Sequence, residues 1–478
     1  MNNKQKAIQG GKWMTTSTVI STVFQFIQIA ILARLLEPTD FGIVSVSTML
    51  ISFFSMFTNL GFNNSIIYKQ EKNIGTLSSL YFLNLFLGLV IFIIVLSCAP
   101  FIADFYNEPR LKDIIRVASL FFLIVYFGQI YSILMQKELQ FKKLALIDIV
   151  GSSIGIVTTI TFAYSGFKEY SLIYGQLSMQ VFKTLSQICL GRSLFMPKLH
   201  YKYLEIKEHL KFGVYNLGDG IVGFLQSNSD NFLIGSMLGV KALGYYTLAS
   251  QLAVFPMTRL NPIVLQVAYP IIAKMKENAS EVKKAYLKIL DFLSYCNIPL
   301  LGGLYITSDS VVPLIYGAGW EPTISLIKIL VLVSLFMCLA QPLFTLAFSK
   351  GKPNLLFYLN ICTLVIKIPL IYFLGKMAQS SGVAWAFVIS TFLNLTINFF
   401  LVHSMIGSFL LPFLKNILKT FLFTALMIIC VYLYKTFIGS QGIIHLLMQI
   451  FIGGTVFISL TLSYKFTLSD IRELRKKS

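Results

Sequence analysis

The stretch Leu36-Glu37-Pro38-Thr39-Asp40-Phe41-Gly42 ends one apolar run of the chain and begins the next. A counterpart, Leu238-Gly239-Val240-Lys241-Ala242-Leu243-Gly244, stands 202 residues later between two further apolar runs. The offset needs no gap, and Asn59 and Asn261 keep it. Matched glycines and asparagines carry more weight than matched leucines because they mark special backbone or polar positions. The spacing therefore favours a duplicated half over a chance similarity of two apolar hairpins.

The composition indicates that lipid surrounds this chain. Of its 478 residues, 56% are hydrophobic and 12% are charged, with a mean hydropathy of +0.75. Soluble domains carry about 25% charged residues. The formal net charge of +19 would suggest nucleic acid in a soluble protein, but these charges lie in short loops, where the positive-inside rule explains them. No nucleic-acid partner is expected.

Apolar runs that could span a bilayer recur along the whole chain. Each spanning helix needs about 20 mostly apolar residues. The sequence predicts fourteen, near 13–36, 41–67, 77–103, 114–135, 145–166, 170–191, 213–238, 243–270, 286–308, 324–348, 355–375, 380–403, 413–434 and 443–464. With the N-terminus in the cytoplasm, most of the 39 Lys and Arg residues fall on the inner side, which also places the C-terminus there.

The duplication divides these helices into two sets. Six helices precede the repeat point, so the second set enters the membrane as the first does, which makes a parallel repeat. We expect an all-α integral membrane protein with two pseudo-symmetric six-helix bundles, two further helices and a basic tail. The mixed basic and apolar residues of the segment between the bundles predict an interfacial helix. The predicted bounds are 1–191, 192–212, 213–403, 404–464 and 465–478.

The sequence lacks the signatures of an enzyme. It contains no GxxxxGK[ST], HExxH or GxSxG motif, and its four histidines are scattered. The six cysteines fall in apolar stretches without CxxC spacing, so neither disulfides nor a metal site is expected. No cofactor is expected either, and without an ATP site the chain would run on substrate or ion gradients.

Polar residues form stripes in the two equivalent helices near 13–36 and 213–238. Gln25 and Gln28 continue a series of Ser and Thr residues, and Asp219 and Asp230 lie in a similar series. Spacings of three and four place such side chains on one helix face, which fits a hydrated cavity. Close helix packing is the stronger explanation for the Ser and Thr residues. The carboxylates favour the cavity because an unpaired one in lipid costs roughly 2.5 to 3.5 kcal/mol.

Arg259 lies in the middle of a predicted span, where its charge needs a partner or water. Its guanidinium suits a diphosphate, which it can hold through two parallel hydrogen bonds. Pairing with Asp219 or Asp230 is an equal alternative, and the two roles can coexist.

Four more residues are candidates for a substrate path. Asn59 and Asn261 extend the polar series into the second helix of each half. Lys367 lies too deep in its helix to reach the interface easily. Arg34 ends the first helix on the outer side, where an interfacial anchor is its ordinary role.

The stretch Ile31-Leu32-Ala33-Arg34-Leu35-Leu36-Glu37-Pro38-Thr39-Asp40-Phe41-Gly42 resembles the LAR-L-x-P-x-D-F-G segment of bacterial polysaccharide transporters, the Wzx-type flippases. Asn59-Leu60-Gly61-Phe62 is similar to that family's second helix. Leu238-Gly239-Val240-Lys241-Ala242-Leu243-Gly244-Tyr245-Tyr246 is similar to the repeat in its second half. The resemblance implies the fold of the multidrug/oligosaccharidyl-lipid/polysaccharide exporter superfamily, shared with MATE-type exporters and the lipid II flippase MurJ.

The resemblance also implies a function. Such proteins move undecaprenyl-diphosphate-linked oligosaccharides across the bacterial cytoplasmic membrane by alternating access, for O-antigen, capsule, exopolysaccharide or teichuronic acid synthesis. Arg259 would then bind phosphate, Gln25 and Gln28 would contact sugars, and Asp219 and Asp230 would bind sugar hydroxyls or a coupling proton or Na⁺. Membrane lipids, a polysaccharide polymerase and glycosyltransferases would be partners. A cation-coupled drug exporter and, less favoured, a membrane polysaccharide polymerase are the alternatives.

Overall fold

The computed structural model describes residues 3–58, 62–275, 277–352 and 354–465. In these ranges the chain forms fifteen helices and no strand. The helices are α1 (Asn3–Leu35), α2 (Pro38–Thr58), α3 (Phe62–Tyr68), α4 (Ile74–Phe105), α5 (Arg110–Lys137), α6 (Phe141–Tyr164), α7 (Glu169–Gly191), α8 (Tyr203–Leu238), α9 (Val240–Lys274), α10 (Ala279–Tyr316), α11 (Glu321–Ala340), α12 (Pro342–Ser349), α13 (Asn354–Ile406), α14 (Leu410–Phe437) and α15 (Ile443–Lys465).

The all-helical membrane architecture expected from the sequence is confirmed. In the described part of the chain, ten stretches are long and apolar enough to cross a bilayer. The number fourteen is compatible with this structure and stays a prediction. Helix α13 contains the predicted spans 355–375 and 380–403, separated by non-helical backbone at Ala378 and Gln379.

One predicted helix is divided in the structure. The predicted span 41–67 is covered by α2 and the short α3, and residues 59–61 between them lie outside the described part of the chain. The predicted span 324–348 is interrupted at Gln341, between α11 and α12. Pro342 explains this division, because proline has no N–H to donate and its ring crowds the preceding turn.

The basic segment between the predicted bundles differs from expectation. Residues 193–202 are turns and extended chain, and helix begins only at Tyr203, continuing without interruption through α8. The extended part is bound to the start of α4 because Lys198 and Lys202 donate their backbone N–H groups to Ser78 Oγ and Ser79 Oγ, at 3.0 and 3.1 Å. A separate interfacial helix over 192–212 is therefore absent from the described residues.

The chain divides into two compact units, Met1–Gly244 and Tyr245–Ser478. Helix α8, expected at the start of the second bundle, packs in the first unit against α2, α3 and α4. In the first unit, α6 and α7 approach closely through Gly155 and Gly175: a Cβ on Gly175 would lie 1.7 Å from Thr159 Oγ1. Glycine is required where two helix backbones come this near.

The second unit is built around α10, α11, α13 and α14. Its apolar core includes the fully buried Tyr286, which makes an edge-on ring contact with Phe409 at 5.8 Å between centroids. In the second segment of α13, a Cβ on Gly382 would lie 1.9 Å from the carbonyl oxygen of Leu374. Glycine at this position allows the two segments of α13 to fold closely past the break.

The two motif glycines matched by the sequence repeat make reciprocal contacts in the first unit. A Cβ on Gly42 would lie 1.8 Å from the carbonyl oxygen of Val240, and one on Gly244 would lie 1.8 Å from that of Pro38. Val240 is the repeat equivalent of Pro38, so each glycine packs against the start of the other helix. The close approach explains why both turns carry glycine at the same position.

Candidate functional site

A cavity of about 380 Å³ lies inside the first unit, between α1, α2, α6 and α7. We call it the glutamine cavity because three glutamines line it, Gln25 and Gln28 from α1 and Gln176 from α7. Its remaining lining residues are Ser21, Val44, Thr48, Ser152, Gly155, Ile156, Thr159, Leu172, Gly175 and Met179. Its lining combines apolar side chains with a few carboxamide and hydroxyl groups, as ligand pockets between helices commonly do.

Helical periodicity explains how each wall of the glutamine cavity arises. On α1, Ser21, Gln25 and Gln28 follow the spacing of four and three that was identified in the sequence. On α7, Leu172, Gln176 and Met179 follow the same spacing, and α6 contributes Ser152 through Thr159. The polar residues of the first helix thus line a cavity within the first unit, together with residues of α6 and α7 that the sequence did not single out. The central cavity predicted from the stripes of both equivalent helices stays a prediction.

The hydroxyl groups of the glutamine cavity are mostly engaged locally. Thr48 Oγ1 donates to the carbonyl oxygen of Val44 at 2.9 Å, and Thr159 Oγ1 donates to that of Gly155 at 2.8 Å. Ser21 and Ser152 join α1 to α6, with 3.4 Å between their hydroxyl oxygens. Because each hydroxyl oxygen can still accept, the lining presents acceptors from the hydroxyls and both donors and acceptors from the carboxamides.

No charged side chain lines the glutamine cavity among the described residues. One turn further along α6 and α7, Lys183 Nζ lies 2.8 Å from Asp148 Oδ1. That lysine crosses over Gly151, where an added Cβ would meet its side chain at 2.9 Å. The two charges compensate each other, so the cavity adjoins an ion pair without containing a net charge.

The other predicted residues of the first unit are not brought to this cavity. Arg34 is exposed at the end of α1, as an interfacial anchor would be. Asp230 is buried within α8, with 5% of its surface exposed. Asn59 lies outside the described residues, as does the side chain of Asp219, whose backbone is part of α8.

In the second unit, Asn261 is fully buried in a network of amides. Its Nδ2 donates to Gln341 Oε1 at 2.6 Å, and its Oδ1 accepts from Asn297 Nδ2 at 3.0 Å. The network joins α9 and α10 to Gln341, the residue at which α11 gives way to α12. Asn261 thus holds three helix segments together in this structure, and a direct contact with substrate stays a prediction.

The two predicted cations of the second unit lie in different surroundings. Arg259 is half-buried on α9. Lys367 is 1% exposed on α13, and its Nζ stands 4.1 Å from the ring centroid of Phe387. Stacking of an ammonium on an aromatic face stabilises it in a dry environment. Lys367 is therefore a deeply placed charge, as the sequence predicted, with one aromatic partner identified.

A cluster of charged residues that was not predicted from the sequence lies at the starts of α2, α5 and α7. The buried carboxylates of Asp40 and Glu169 lie beside Arg110, whose Nη1 is 3.3 Å from Asp40 Oδ1 and 3.8 Å from Glu169 Oε1. Asp40 Oδ2 also accepts the N–H of Glu37 at 3.0 Å, a capping contact at the start of α2. The aspartate of the P-T-D-F-G motif could have signalled this contact, since an acid three positions after a helix cap often makes it.

In the described part of the chain, ten helical stretches long and apolar enough to cross a bilayer indicate a multi-pass helical membrane protein. The family model described as "Polysaccharide biosynthesis protein" matches residues 31–325, and this chain belongs to that family. The resemblance identified from the motifs around Arg34 and Gly42 is thereby confirmed.

Curated relatives cover most of the chain. It is 31% identical over 409 residues to the lipopolysaccharide biosynthesis protein WzxC of Escherichia coli K12, covering 85% of this chain and 83% of the relative. It is 29% identical over 425 residues to the teichuronic acid biosynthesis protein TuaB of Bacillus subtilis 168, covering 88% of each chain.

Solved structures share the fold at lower identity. The lipid II flippase MurJ in an inward closed conformation has a TM-score of 0.77 at 15% identity, covering 94% of this chain and 98% of MurJ. An inward-facing MATE-family multidrug transporter has a TM-score of 0.61 at 17% identity, covering 81% of this chain and 94% of the transporter. The expected superfamily fold is confirmed.

Proposed function

We propose that this protein is a flippase that carries undecaprenyl-diphosphate-linked oligosaccharide repeat units across the bacterial cytoplasmic membrane by alternating access. The exported units would serve the synthesis of a surface polysaccharide of the O-antigen, capsule, exopolysaccharide or teichuronic acid type. The observation that carries this proposal is the glutamine cavity, an open and partly polar cavity between α1, α2, α6 and α7 in a member of a polysaccharide biosynthesis family. Relatives named for lipopolysaccharide and teichuronic acid biosynthesis support the substrate class.

The division of labour follows the chemistry of the side chains. Gln25 and Gln28 would contact sugar hydroxyls from the cavity wall. Arg259 would hold the diphosphate, because a guanidinium matches phosphate oxygens in pairs. Asp219 or Asp230 would bind sugar hydroxyls or a coupling proton or Na⁺. Asn59, Asn261, Lys367 and Arg34 complete the proposed path, Asn261 by holding its helices in place.

The cellular setting follows from the same proposal. Both termini would lie in the cytoplasm, since the basic residues collect in the loops on that side. Glycosyltransferases would supply the lipid-linked repeat unit at the inner leaflet, and a polymerase would consume it at the outer leaflet. The protein itself would move the substrate without making or breaking a covalent bond.

Deletion of the gene tests this function. Lipid-linked repeat units are extracted from the deletion strain, identified by mass spectrometry, and assigned to a leaflet by lectin access in right-side-out and inverted vesicles. We expect them to accumulate in the inner leaflet, and the wild-type chain to restore export. Normal surface polysaccharide without accumulation would exclude a flippase, and drug sensitivity in its place would indicate a MATE-type exporter.

Complementation of the same strain tests Arg259. Export by Arg259→Ala at wild-type membrane level should fall by about tenfold or more, the scale of a lost charge-assisted pair of hydrogen bonds. Arg259→Lys, which keeps the charge but not the paired geometry, should retain an intermediate rate. Full export by the alanine variant would remove Arg259 from the diphosphate site.

A further inference from the structure

We infer that the glutamine cavity is a binding subsite for an uncharged saccharide, and that Gln176 and Ser152 share the sugar contacts with Gln25 and Gln28. The inference rests on the proposed function, and it assigns to the first unit a selection among sugars that the overall function does not specify. Four properties of the cavity carry it: its size, its hydrogen-bonding groups, its apolar wall and its lack of charge.

The size of the cavity fits part of an oligosaccharide. Small-molecule pockets usually enclose about 300–1,000 Å³. At about 380 Å³ the glutamine cavity is near the lower limit of that range. It can therefore receive a small portion of a repeat unit, while the rest of the substrate remains outside it.

The polar groups match sugar hydroxyls in kind. A hydroxyl both donates and accepts, and a carboxamide offers both functions at one end of a side chain. Gln25 and Gln28 project from α1, and Gln176 projects from α7. Ser152 adds a hydroxyl from α6, already placed by its contact with Ser21 at 3.4 Å. The hydroxyl groups of a bound sugar would therefore meet hydrogen-bonding partners from three helices.

Apolar side chains occupy the remaining wall. Val44 on α2, Ile156 on α6, and Leu172 and Met179 on α7 line the same space as the glutamines. A pyranose ring has C–H faces as well as hydroxyl edges, so it gains from apolar surface on one side and hydrogen bonds on the other.

The missing charge selects against acidic ligands. A phosphate or uronate in the glutamine cavity would lie between four helices and would find no cation among the lining residues. Placing an uncompensated charge in such a site is strongly unfavourable. Lys183 does not supply the missing charge, because it is paired with Asp148 at 2.8 Å. The diphosphate of the substrate must therefore be bound elsewhere, as proposed for Arg259.

Close packing of α6 against α7 fixes the relative position of these two walls of the glutamine cavity. Gly155 and Gly175 form the contact: an added Cβ on either glycine would lie within 3.0 Å of the facing helix. Ser152 and Gln176 flank these glycines, so their positions are fixed by backbone packing rather than by flexible loops. Preorganised polar groups of this kind bind with less loss of entropy.

Saturation-transfer difference NMR on the full chain in lipid nanodiscs tests the inference. The probes are neutral trisaccharides of glucose, galactose and mannose, and trigalacturonate as the acidic counterpart. We expect transfer to at least one neutral trisaccharide and none to trigalacturonate. Equal transfer to the acidic probe, or transfer to no neutral probe, would overturn the inference without reference to any variant.

Variants then locate the binding. Gln176→Ala should weaken binding of the neutral probe by about tenfold, equivalent to roughly one hydrogen bond with its desolvated partner. Gln187→Ala is the matched control, a half-buried glutamine on the same helix that does not line the cavity. Gln176→Asn, which keeps the carboxamide, covers the case in which the alanine variant does not fold. Unchanged binding in both Gln176 variants would place the saccharide elsewhere.

Failure of the inference and failure of the proposed function can be told apart. If the deletion strain accumulates lipid-linked units but the probes bind regardless of Gln176, the protein is a flippase and the glutamine cavity is not its sugar subsite. If the probes bind as expected but no lipid-linked unit accumulates, the cavity binds saccharide and the transported substrate is of another class.

Discussion

At the scale of single residues, the buried carboxylates of Asp40 and Glu169 lie close together and share the cation Arg110. Arg110 reaches both, but it also bonds Glu108, with Nε 2.9 Å from Oε1. Glu169 Oε2 is buried and has no hydrogen-bond partner among the described residues. Burial, and then the neighbouring carboxylate of Asp40, raise the pKa of Glu169 above its usual 4.5. Glu169 stands one residue before the predicted span 170–191.

The raised pKa of Glu169 predicts how the stability of the protein changes with pH. Above its usual pKa the unfolded chain releases a proton that the folded chain retains, so the contribution of Glu169 falls as pH rises through that window. Glu169→Gln should remove this loss and stabilise the protein by about 1 kcal/mol near neutral pH, the scale of relieving an unsatisfied buried group. Thermal unfolding in detergent between about pH 5 and pH 8 measures both effects.

Asp113→Asn is the control for that experiment. Its side chain is 64% exposed and pairs with Arg116 on the same helix. An exposed pair of this kind contributes little, so its removal should change stability by less than about 0.5 kcal/mol at any pH. A Glu169→Gln variant with the wild-type pH profile would show that this carboxyl is ionised in both states.

Some residues of the site could be predicted from the sequence and others could not. Gln25 and Gln28 could be predicted because they share one face of one helix, and sequence spacing alone reveals such a face. Ser152 and Gln176 belong to helices with mixed polar content, and they line the same cavity as Ser21 although each lies more than a hundred residues from it in the chain. Asn261 was identified as special, but its burial in an amide network depends on Asn297 and Gln341, which no local pattern connects to it.

At the scale of elements, the reciprocal contacts of Gly42 and Gly244 predict sensitivity to the smallest side chain. Gly42→Ala and Gly244→Ala each place a methyl group against a backbone carbonyl that cannot rotate away. Each should destabilise the protein by about 1–3 kcal/mol through overpacking, and the double variant by less than the sum, because one displacement relieves both contacts. Thermal unfolding, monitored by size-exclusion chromatography of the protein that remains folded, measures this loss of stability.

Gly303→Ala serves as the comparison for these variants. Gly303 lies in helix α10, where an added Cβ meets no atom within 4 Å. Alanine favours helix over glycine by about 1 kcal/mol, so this change should be neutral or stabilising. If Gly42→Ala and Gly303→Ala changed the stability equally, the starts of α2 and α9 could move apart without a loss of stability.

Element boundaries illustrate where sequence reasoning stops. The long apolar runs predicted α4, α5 and α6 within a few residues, because lipid imposes both length and composition. The joined helix Tyr203–Leu238 was divided in the prediction, since a change from basic to apolar composition reads as a boundary although the backbone continues. Its first turns are held by side chains, including His209 against Ser65 with 2.6 Å between Nδ1 and Oγ.

At the scale of the whole molecule, the parallel repeat predicted from the sequence requires the same orientation for equivalent loops. Reporters inserted at the outer turns near Asn107 and Gly317 should be active only outside the cytoplasm. Reporters at the inner turns near Leu139 and Gly351 should be active only inside. Paired fusions of alkaline phosphatase and green fluorescent protein provide the readout. Opposite orientation of the two outer turns would exclude a parallel duplication.

The sequence predicts a duplicated architecture because special residues recur at a fixed offset, and this stays a prediction. The family was identified from the resemblance of the same motif, in which Asp40 and Gly42 also make definite structural contacts. The glutamine cavity was only half visible, because a chamber is made by several helices and each sequence stripe describes one of them.

The mirrored approach of the two motif turns is a local twofold contact, because position i meets j and the counterpart of j meets that of i. Each turn supplies the small residue that the start of the other helix requires. A larger residue at either position would therefore push both helix starts apart, although it lies in only one of them.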